Sequence, residues 1–338
     1  MKKIQTHVLG FPRSGAGPRT RHAALQAAGG LDLVSVGDDA CAAQVAAHLA
    51  MFGCAQAGPA MASWFDTPQR YPVPDWSRAT RFTLDAGALL AEVKAVRADG
   101  RRVKAVLIGP LTLLWLGRMT DRDACLDPGI DPRLDLLEHL LPAYAALLIA
   151  LKGAGADWVQ LDEPILGLDL PHAWRHAFER TYWQLAQCGA QLMLATYFAP
   201  LRHNISLACR LPVAGLHVDG VCAEHELTSV CDWLAVPKVL SVGIVDGRRR
   251  EPTDRRRALA ILQPLAQRRA GQLWLAPACS LQHAPAKLAP PEADPAAHDE
   301  AVLASANARL DELAALAAAL ERALHSAPAD APLCAGAI

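Results

Sequence analysis

Trp158-Val159-Gln160-Leu161-Asp162-Glu163-Pro164 reads as a buried strand that stops in two adjacent carboxylates and a proline. An apolar run ends that way where the C-terminal end of the strand opens onto a polar cleft. Three later runs end alike: Leu192-Met193-Leu194 runs into Thr196-Tyr197, Gly215-Leu216 into His217 and Asp219, and Leu273-Trp274-Leu275 into Cys279. Polar chemistry therefore collects at one end of the strands. In a parallel α/β barrel that is the end where active sites sit, because the loops there converge on one pocket.

Outward from this stretch, short β-branched or aliphatic runs alternate with longer Ala/Leu-rich segments of helical spacing, as repeated βα units require. The spacing predicts strands at Thr6 to Leu9, Leu33 to Val36, Val103 to Ile108, Trp158 to Leu161, Gln191 to Ala195, Gly215 to Val218, Val239 to Val242 and Gln272 to Ala276. It places helices near Arg21 to Ala28, Ala40 to Phe52, Asp85 to Ala98, Leu134 to Lys152, Ala173 to Cys188, His203 to Cys209, Ala223 to Leu234 and Arg255 to Arg269. A last helix, about Asp299 to Leu324, closes the ring.

In a chain of 338 residues this pattern predicts an α/β fold, a single (β/α)8 TIM barrel over residues 1–325 followed by a tail over 326–338. A doubly wound sheet would carry a glycine-rich phosphate turn after its first strand, and Gly10-Phe11-Pro12-Arg13-Ser14-Gly15-Ala16-Gly17 does not fit GxGxxG. The proline-rich stretches Gly58 to Trp76 and Ala284 to Pro295 read as irregular surface excursions.

With 52% hydrophobic residues, 33 basic against 34 acidic side chains and a net charge of -1, the composition is that of a soluble globular protein. It lacks the uncompensated basic face of a nucleic-acid binder. Arg248-Arg249-Arg250 and Arg255-Arg256-Arg257, interrupted by Glu251 and Asp254, read as a solvated loop and helix start. No secretory signal and no stretch approaching the ~20 apolar residues of a membrane span is legible, so a cytoplasmic protein without membrane partners is expected. The nine cysteines form no CxxC pair, and Cys41, Cys54, Cys188 and Cys209 fall in apolar helical stretches, which predicts buried, reduced thiols.

Asp162 and Glu163 at a strand end suit general acid and base work, or the holding of a substrate amino group. Side chains alternate along a strand, so only one of them can face the pocket; the other would cap a helix or brace a neighbouring strand. His217 and Asp219, two apart, share a face fit for a metal or a polar substrate. A zinc set needs three or four ligands, and the sequence offers Asp219, Cys279 and one of His217 or His283, with no HxH, HxC or CxxC to seed it. Arg13, with Arg19 and Arg21 close behind, lies on the first βα loop, where a guanidinium would clamp a carboxylate or phosphate. Gly109-Pro110 stops the third strand, Thr112 offers a hydroxyl, and the Leu/Trp run after it reads as core packing.

Together, Leu9-Gly10-Phe11-Pro12-Arg13, Val36-Gly37-Asp38, Trp64-Phe65, Gly109-Pro110-Leu111-Thr112, Gln160-Leu161-Asp162-Glu163-Pro164, Thr196-Tyr197-Phe198, Gly215-Leu216-His217-Val218-Asp219, Gly243-Ile244-Val245-Asp246-Gly247-Arg248 and Cys279-Ser280-Leu281-Gln282-His283 resemble the amino-terminal barrel of cobalamin-independent methionine synthase. They occur in the family's order across nearly the whole chain. The resemblance implies one of two face-to-face (β/α)8 barrels that transfer a methyl group from methyltetrahydrofolate polyglutamate to homocysteine. In that family the carboxyl-terminal barrel holds zinc with a His-x-Cys pair, a Glu and a second Cys. On that pattern the His-x-Cys pair falls on Leu194 and Thr196, the Glu on Asp219 and the last Cys on Cys279, so two of four ligand positions cannot bind zinc. The amino-terminal barrel's folate contacts fall on Pro18-Arg19-Thr20-Arg21, a partial match to the basic stretch, and on Ser63 in place of a lysine.

Three functions follow from this reading. The barrel serves methyl transfer from 5-methyltetrahydrofolate, or another methyl donor, to homocysteine beside a separate zinc-bearing catalytic barrel. Alternatively it is an independent enzyme with Asp162 or Glu163, His217 and Tyr197 repurposed for acid/base work, or a non-catalytic module that binds a folate-like or amino-acid ligand.

Overall fold

The computed structural model describes residues 3–12, 19–38, 41–54, 57–121, 131–269, 271–285 and 295–326. Eight parallel strands form its centre: Gln5–Thr6, Val34–Val36, Val103–Ile108, Trp158–Asp162, Leu192–Ala195, Gly215–Asp219, Val239–Val245 and Leu273–Pro277. They are hydrogen-bonded in chain order from the second strand round to the eighth, which pairs with the first. A parallel bridge between His7 and Leu33 joins the first strand to the second and closes the ring. The strands are buried on both faces, as a parallel sheet wrapped in helices must be. The result is the expected (β/α)8 barrel.

The helices lie in the predicted gaps, at Arg19–Ala28, Cys41–Met51, Gly87–Ala98, Leu137–Gly153, His172–Ala186, Ile205–Arg210, Leu227–Trp233, Arg255–Arg269 and Pro295–Ser326. The first strand is shorter than the expected Thr6 to Leu9. The carbonyls of Val8 and Leu9 leave the ladder and accept from the side chains of Lys104 and Gln160 instead. The Gly109 turn opens a further short helix, Pro110–Leu116, with proline at its first turn, where the missing N–H is not needed.

The stretch read as an irregular excursion between Gly58 and Trp76 is instead a hairpin. Ala57–Ser63 runs antiparallel to Arg70–Trp76, and Asp75 and Trp76 pair with Arg118 and Met119. Its prolines are tolerated because the hairpin sits apart from the main sheet, in a small three-stranded ladder where few N–H groups are required. Trp76 Nε1 donates to the Leu114 carbonyl at 3.1 Å and Tyr71 Oη to that of Leu116 at 3.1 Å, which clamps the hairpin onto the short helix.

One helical span, Pro132–Gly153, is long and apolar enough to cross a membrane by length and composition, against the expectation that no stretch approaches that limit. Here it packs as a barrel helix, with Leu140, Tyr144, Leu147, Leu148 and Leu151 fully buried. The thiols also depart from expectation. Cys209 is buried, but Cys54 and Cys188 are only half-buried, and the side chain of Cys41 lies outside the described residues. The tail beyond Ser326 and the stretch 286–294 lie outside them too.

Inside the ring the lower end is plugged by an apolar layer of Leu33, Trp158, Met193, Val239 and Trp274, the two indoles meeting edge-on at 4.9 Å. Above that layer, toward the C-terminal ends of the strands, the inward positions carry the polar side chains Lys104, Gln160, Asp162, His217 and Ser241.

Candidate functional site

Asp162 and Glu163 part company at the end of the fourth strand, as alternation demands. Glu163 turns outward between barrel and helices. It accepts from Thr112 N at 2.7 Å, Thr112 Oγ1 at 2.6 Å, Leu111 N at 3.2 Å and Tyr182 Oη at 3.1 Å. It therefore caps the helix that starts at Pro110, satisfying N–H groups that have no partner within that helix. Burial lifts its carboxyl to about 7, against the pull of those donors. A Cβ on Gly109 would run into this carboxyl, so only glycine lets the two strand ends approach. Thr112 thus spends its hydroxyl on Glu163 rather than on the pocket.

Asp162 faces inward and is 5% exposed. Gln160 Nε2 donates to its Oδ1 at 2.6 Å and Tyr197 Oη to its Oδ2 at 3.3 Å. Gln160 also donates to the Leu9 carbonyl at 3.0 Å and accepts from Lys104 Nζ. Lys104, fully buried, has three donors and three acceptors: Gln160, the Val8 carbonyl at 2.6 Å and His7 Nδ1 at 2.9 Å.

Donor counting then assigns the rest of the chain. His7 accepts at Nδ1, so it carries its proton on Nε2 and donates to Ser241 Oγ at 2.7 Å. The Ser241 hydroxyl in turn donates to His217 Nδ1 at 2.8 Å. A continuous chain of hydrogen bonds thus runs from Tyr197 at the mouth through Asp162, Gln160, Lys104, His7 and Ser241 to His217. Burial lowers Lys104 and raises Asp162, while the attraction between their opposite charges restrains both shifts. Burial and the neighbouring Lys104 charge push His217 down to about 3, so its imidazole stays neutral.

His217 and Asp219 share a strand face, but they do different things. Asp219 Oδ2 accepts from Phe198 N at 3.1 Å, and its Oδ1 accepts from Val221 N at 3.0 Å and Cys222 N at 2.9 Å. It ties together the loops after the fifth and sixth strands. Cys279, on the loop after the eighth, is fully buried, and burial with the nearby Asp219 carboxylate holds its thiol well above the usual range. Among the described residues no group of three or more His, Cys, Asp and Glu side chains is arranged to hold a metal ion. Leu194 is sealed in the core, and Thr196 Oγ1 donates to the His217 carbonyl at 2.9 Å.

Arg13 lies outside the described residues, as do the side chains of Arg19 and Arg21, whose backbones form part of the first turn of the helix Arg19–Ala28. The structure therefore brings together Asp162, Tyr197 and, deeper in the barrel, His217, and moves Glu163 and Thr112 behind the sheet. Lys104, His7 and Ser241 were not singled out in the sequence, Gln160 stood there only as part of the strand, and Arg248, read as solvated loop, is only partly exposed and lies over Phe198. Lys104 had a signal, a lone charge in the apolar run Val103-Lys104-Ala105-Val106. A lysine in such a run must find acceptors inside the barrel.

Comparison with known proteins agrees with this architecture. A family model described as "Cobalamin-independent synthase, N-terminal domain" matches residues 53–270, more than half of the chain. The 5-methyltetrahydropteroyltriglutamate--homocysteine methyltransferase of Burkholderia thailandensis is 40% identical over 372 residues, covering 94% of this chain and 47% of the relative. Its counterpart in Burkholderia pseudomallei is 40% identical over 337 residues, 84% of this chain and 43% of the relative. The chain thus spans about half the length of these relatives.

Among solved structures, a B12-independent methionine synthase from Shewanella sp. W3-18-1 in complex with selenomethionine superposes with a TM-score of 0.72 at 13% identity, covering 97% of this chain and 100% of that one. A methyltransferase from Methanosarcina mazei superposes with a TM-score of 0.61 at 14% identity, covering 91% and 94%. At such identities these two likenesses speak to fold alone. The profile match and the 40% identity speak to descent, and the chain belongs to the cobalamin-independent methionine synthase family, matching its N-terminal domain.

Proposed function

We propose that this barrel serves methyl transfer from 5-methyltetrahydrofolate, or another methyl donor, to homocysteine as the metal-free partner of a zinc-bearing catalytic barrel, and that it does not activate the thiol by itself. The observation that carries the reading is the pair Leu194 and Thr196. One side chain is sealed in the core and the other hydroxyl is committed to the His217 carbonyl, where a metal-bearing barrel would present His and Cys. A free thiol of pKa ~8.5 is mostly protonated at neutral pH, and a coordinating metal removes that proton. Without such coordination the barrel supplies shape, a polar mouth at Asp162 and Tyr197, and a surface for its partner.

The test mixes the purified chain with homocysteine, zinc and methyltetrahydropteroyltriglutamate. No methionine is expected from the chain alone, and turnover is expected once a separately expressed zinc-bearing barrel of this family is added. Steady methionine formation by the chain alone, in step with bound zinc, would overturn the reading.

A further inference from the structure

We infer that the Arg248 guanidinium is the resident cation of the barrel mouth, standing beside the remnant ligand positions Asp219 and Cys279 and excluding divalent metals from the pocket they border. The inference rests on the proposed reading of a metal-free barrel and deepens it, since it says what takes the place of the metal's charge.

Four strand-end loops, those after the fifth to the eighth strands, build the arrangement. Arg248 follows the seventh strand, and Asp246 Oδ1 turns its loop inward by accepting from Arg248 N at 2.9 Å. Its Nη2 lies 3.6 Å from Cys222 Sγ, and its central carbon sits 5.2 Å from the centre of the Phe198 ring. Phe198 is itself fixed. Its backbone adopts φ 71, a region most residues avoid, and its N–H is held by Asp219 Oδ2. The His283 ring meets the same phenyl edge-on at 5.1 Å. The neighbouring Gly247 packs on the eighth-strand loop, a Cβ there falling 3.8 Å from Cys279 Sγ.

The guanidinium thus rests on one thiol, Cys222, and one aromatic face, Phe198, and feels the charges of Asp219, Asp246 and Cys279 nearby, the company a bound cation would keep. A guanidinium cannot be deprotonated in a protein, so its charge is permanent. A divalent ion entering among these groups would meet that charge at close range. It would also find Asp219 already accepting three backbone N–H groups.

The experiment uses Cd²⁺ as the probe and the ultraviolet band of cadmium-bound thiolate as the readout, each protein being compared with its Cys222→Ser/Cys279→Ser counterpart. Arg248→Met removes the charge but keeps an apolar stem over Phe198, and it should bind Cd²⁺ at least tenfold more tightly than the native chain, through a band that needs both cysteines. Arg248→Lys, which restores a cation, should behave as native. Arg248→Gln supplies the same test should Arg248→Met fail to fold by circular dichroism. A native chain that already binds Cd²⁺ through Cys222 and Cys279, or a folded charge-free variant that gains no affinity, would overturn the inference. The methionine assay without a partner reports separately on the functional reading beneath it.

Discussion

Inside the ring, Lys104, His7, Ser241, His217, Gln160 and Asp162 are joined in one chain of hydrogen bonds that ends at His217; at the mouth, the Arg248 guanidinium lies against Cys222 and the Phe198 ring and feels the charges of Asp219 and Cys279. Both regions are polar and largely buried, yet they are closed in different ways. The interior chain has donors and acceptors in sequence, so each member fixes the tautomer or rotamer of the next, and removing one orphans its neighbours. The mouth is held by charge and stacking among side chains on loops, which tolerates replacement. The difference teaches that buried polarity in this barrel divides into a part that specifies the fold and a part free to change with function.

The sharpest way to break that comparison is Lys104→Met. The change leaves His7 Nδ1 and Gln160 Oε1 without their donor, leaves the Val8 carbonyl to Ser35 Oγ alone, and leaves Asp162 without its counter-charge. Loss of one partner of a buried pair costs about 3–5 kcal/mol, which urea denaturation near neutral pH would register. A loss below about 1 kcal/mol would mean that the chain is decoration.

Acid should act next. His48 donates from Nδ1 to the Gln44 carbonyl and accepts at Nε2 from Ile108 N, and burial holds it at about 4 against an ordinary value of 6.5. Because the folded value is depressed, this stability is fully present above pH 6.5. It drains as pH falls toward 4, by about 3 kcal/mol for this one group. Denaturation midpoints across that window should fall in the native protein and fall less in His48→Gln; equal slopes would exclude His48 as the source.

Glu163→Gln sharpens the contrast between the two faces of the fourth strand. It weakens a cap that now receives four donors, and about 2 kcal/mol of stability should be lost. Amide exchange in the helix Pro110–Leu116 should quicken before that of the strands.

Asp162→Asn is expected to be mildest for stability, about 1 kcal/mol, since an amide still accepts from Gln160 and can pair with Tyr197. Lys104, which meets Asp162 only through Gln160 and is lowered by burial to about 7, keeps its own three acceptors. If the mouth serves the reaction, the same change should lower partner-supported turnover by more than that stability loss explains.

Much of this was legible in the chain. Each barrel strand falls on a predicted run, because strand length and apolar content are local properties. The Asp162-Glu163 pair announced a strand end, and alternation announced that its members would diverge. Which of them faced the pocket was not legible, since that depends on where Thr112 and Tyr182 arrive from other elements. The hairpin was missed because Pro59, Pro72 and Pro74 read as loop, and only its place outside the main sheet makes prolines acceptable there. Thiol burial was overestimated at Cys54 and Cys188 for a related reason: both lie just past a helix end, after Met51 and Ala186, where the chain turns toward the surface, and composition does not say where a helix stops.

The sequence by itself determined the barrel and the end at which its chemistry gathers, because periodicity is a property of neighbours along the chain. Tertiary structure alone decided what each polar group bonds to. Lys104 finds His7 across 97 positions and Gln160 finds the Leu9 carbonyl across 151. Such partners are chosen by the closing of the ring, where a buried donor must take whichever acceptor the fold brings within reach.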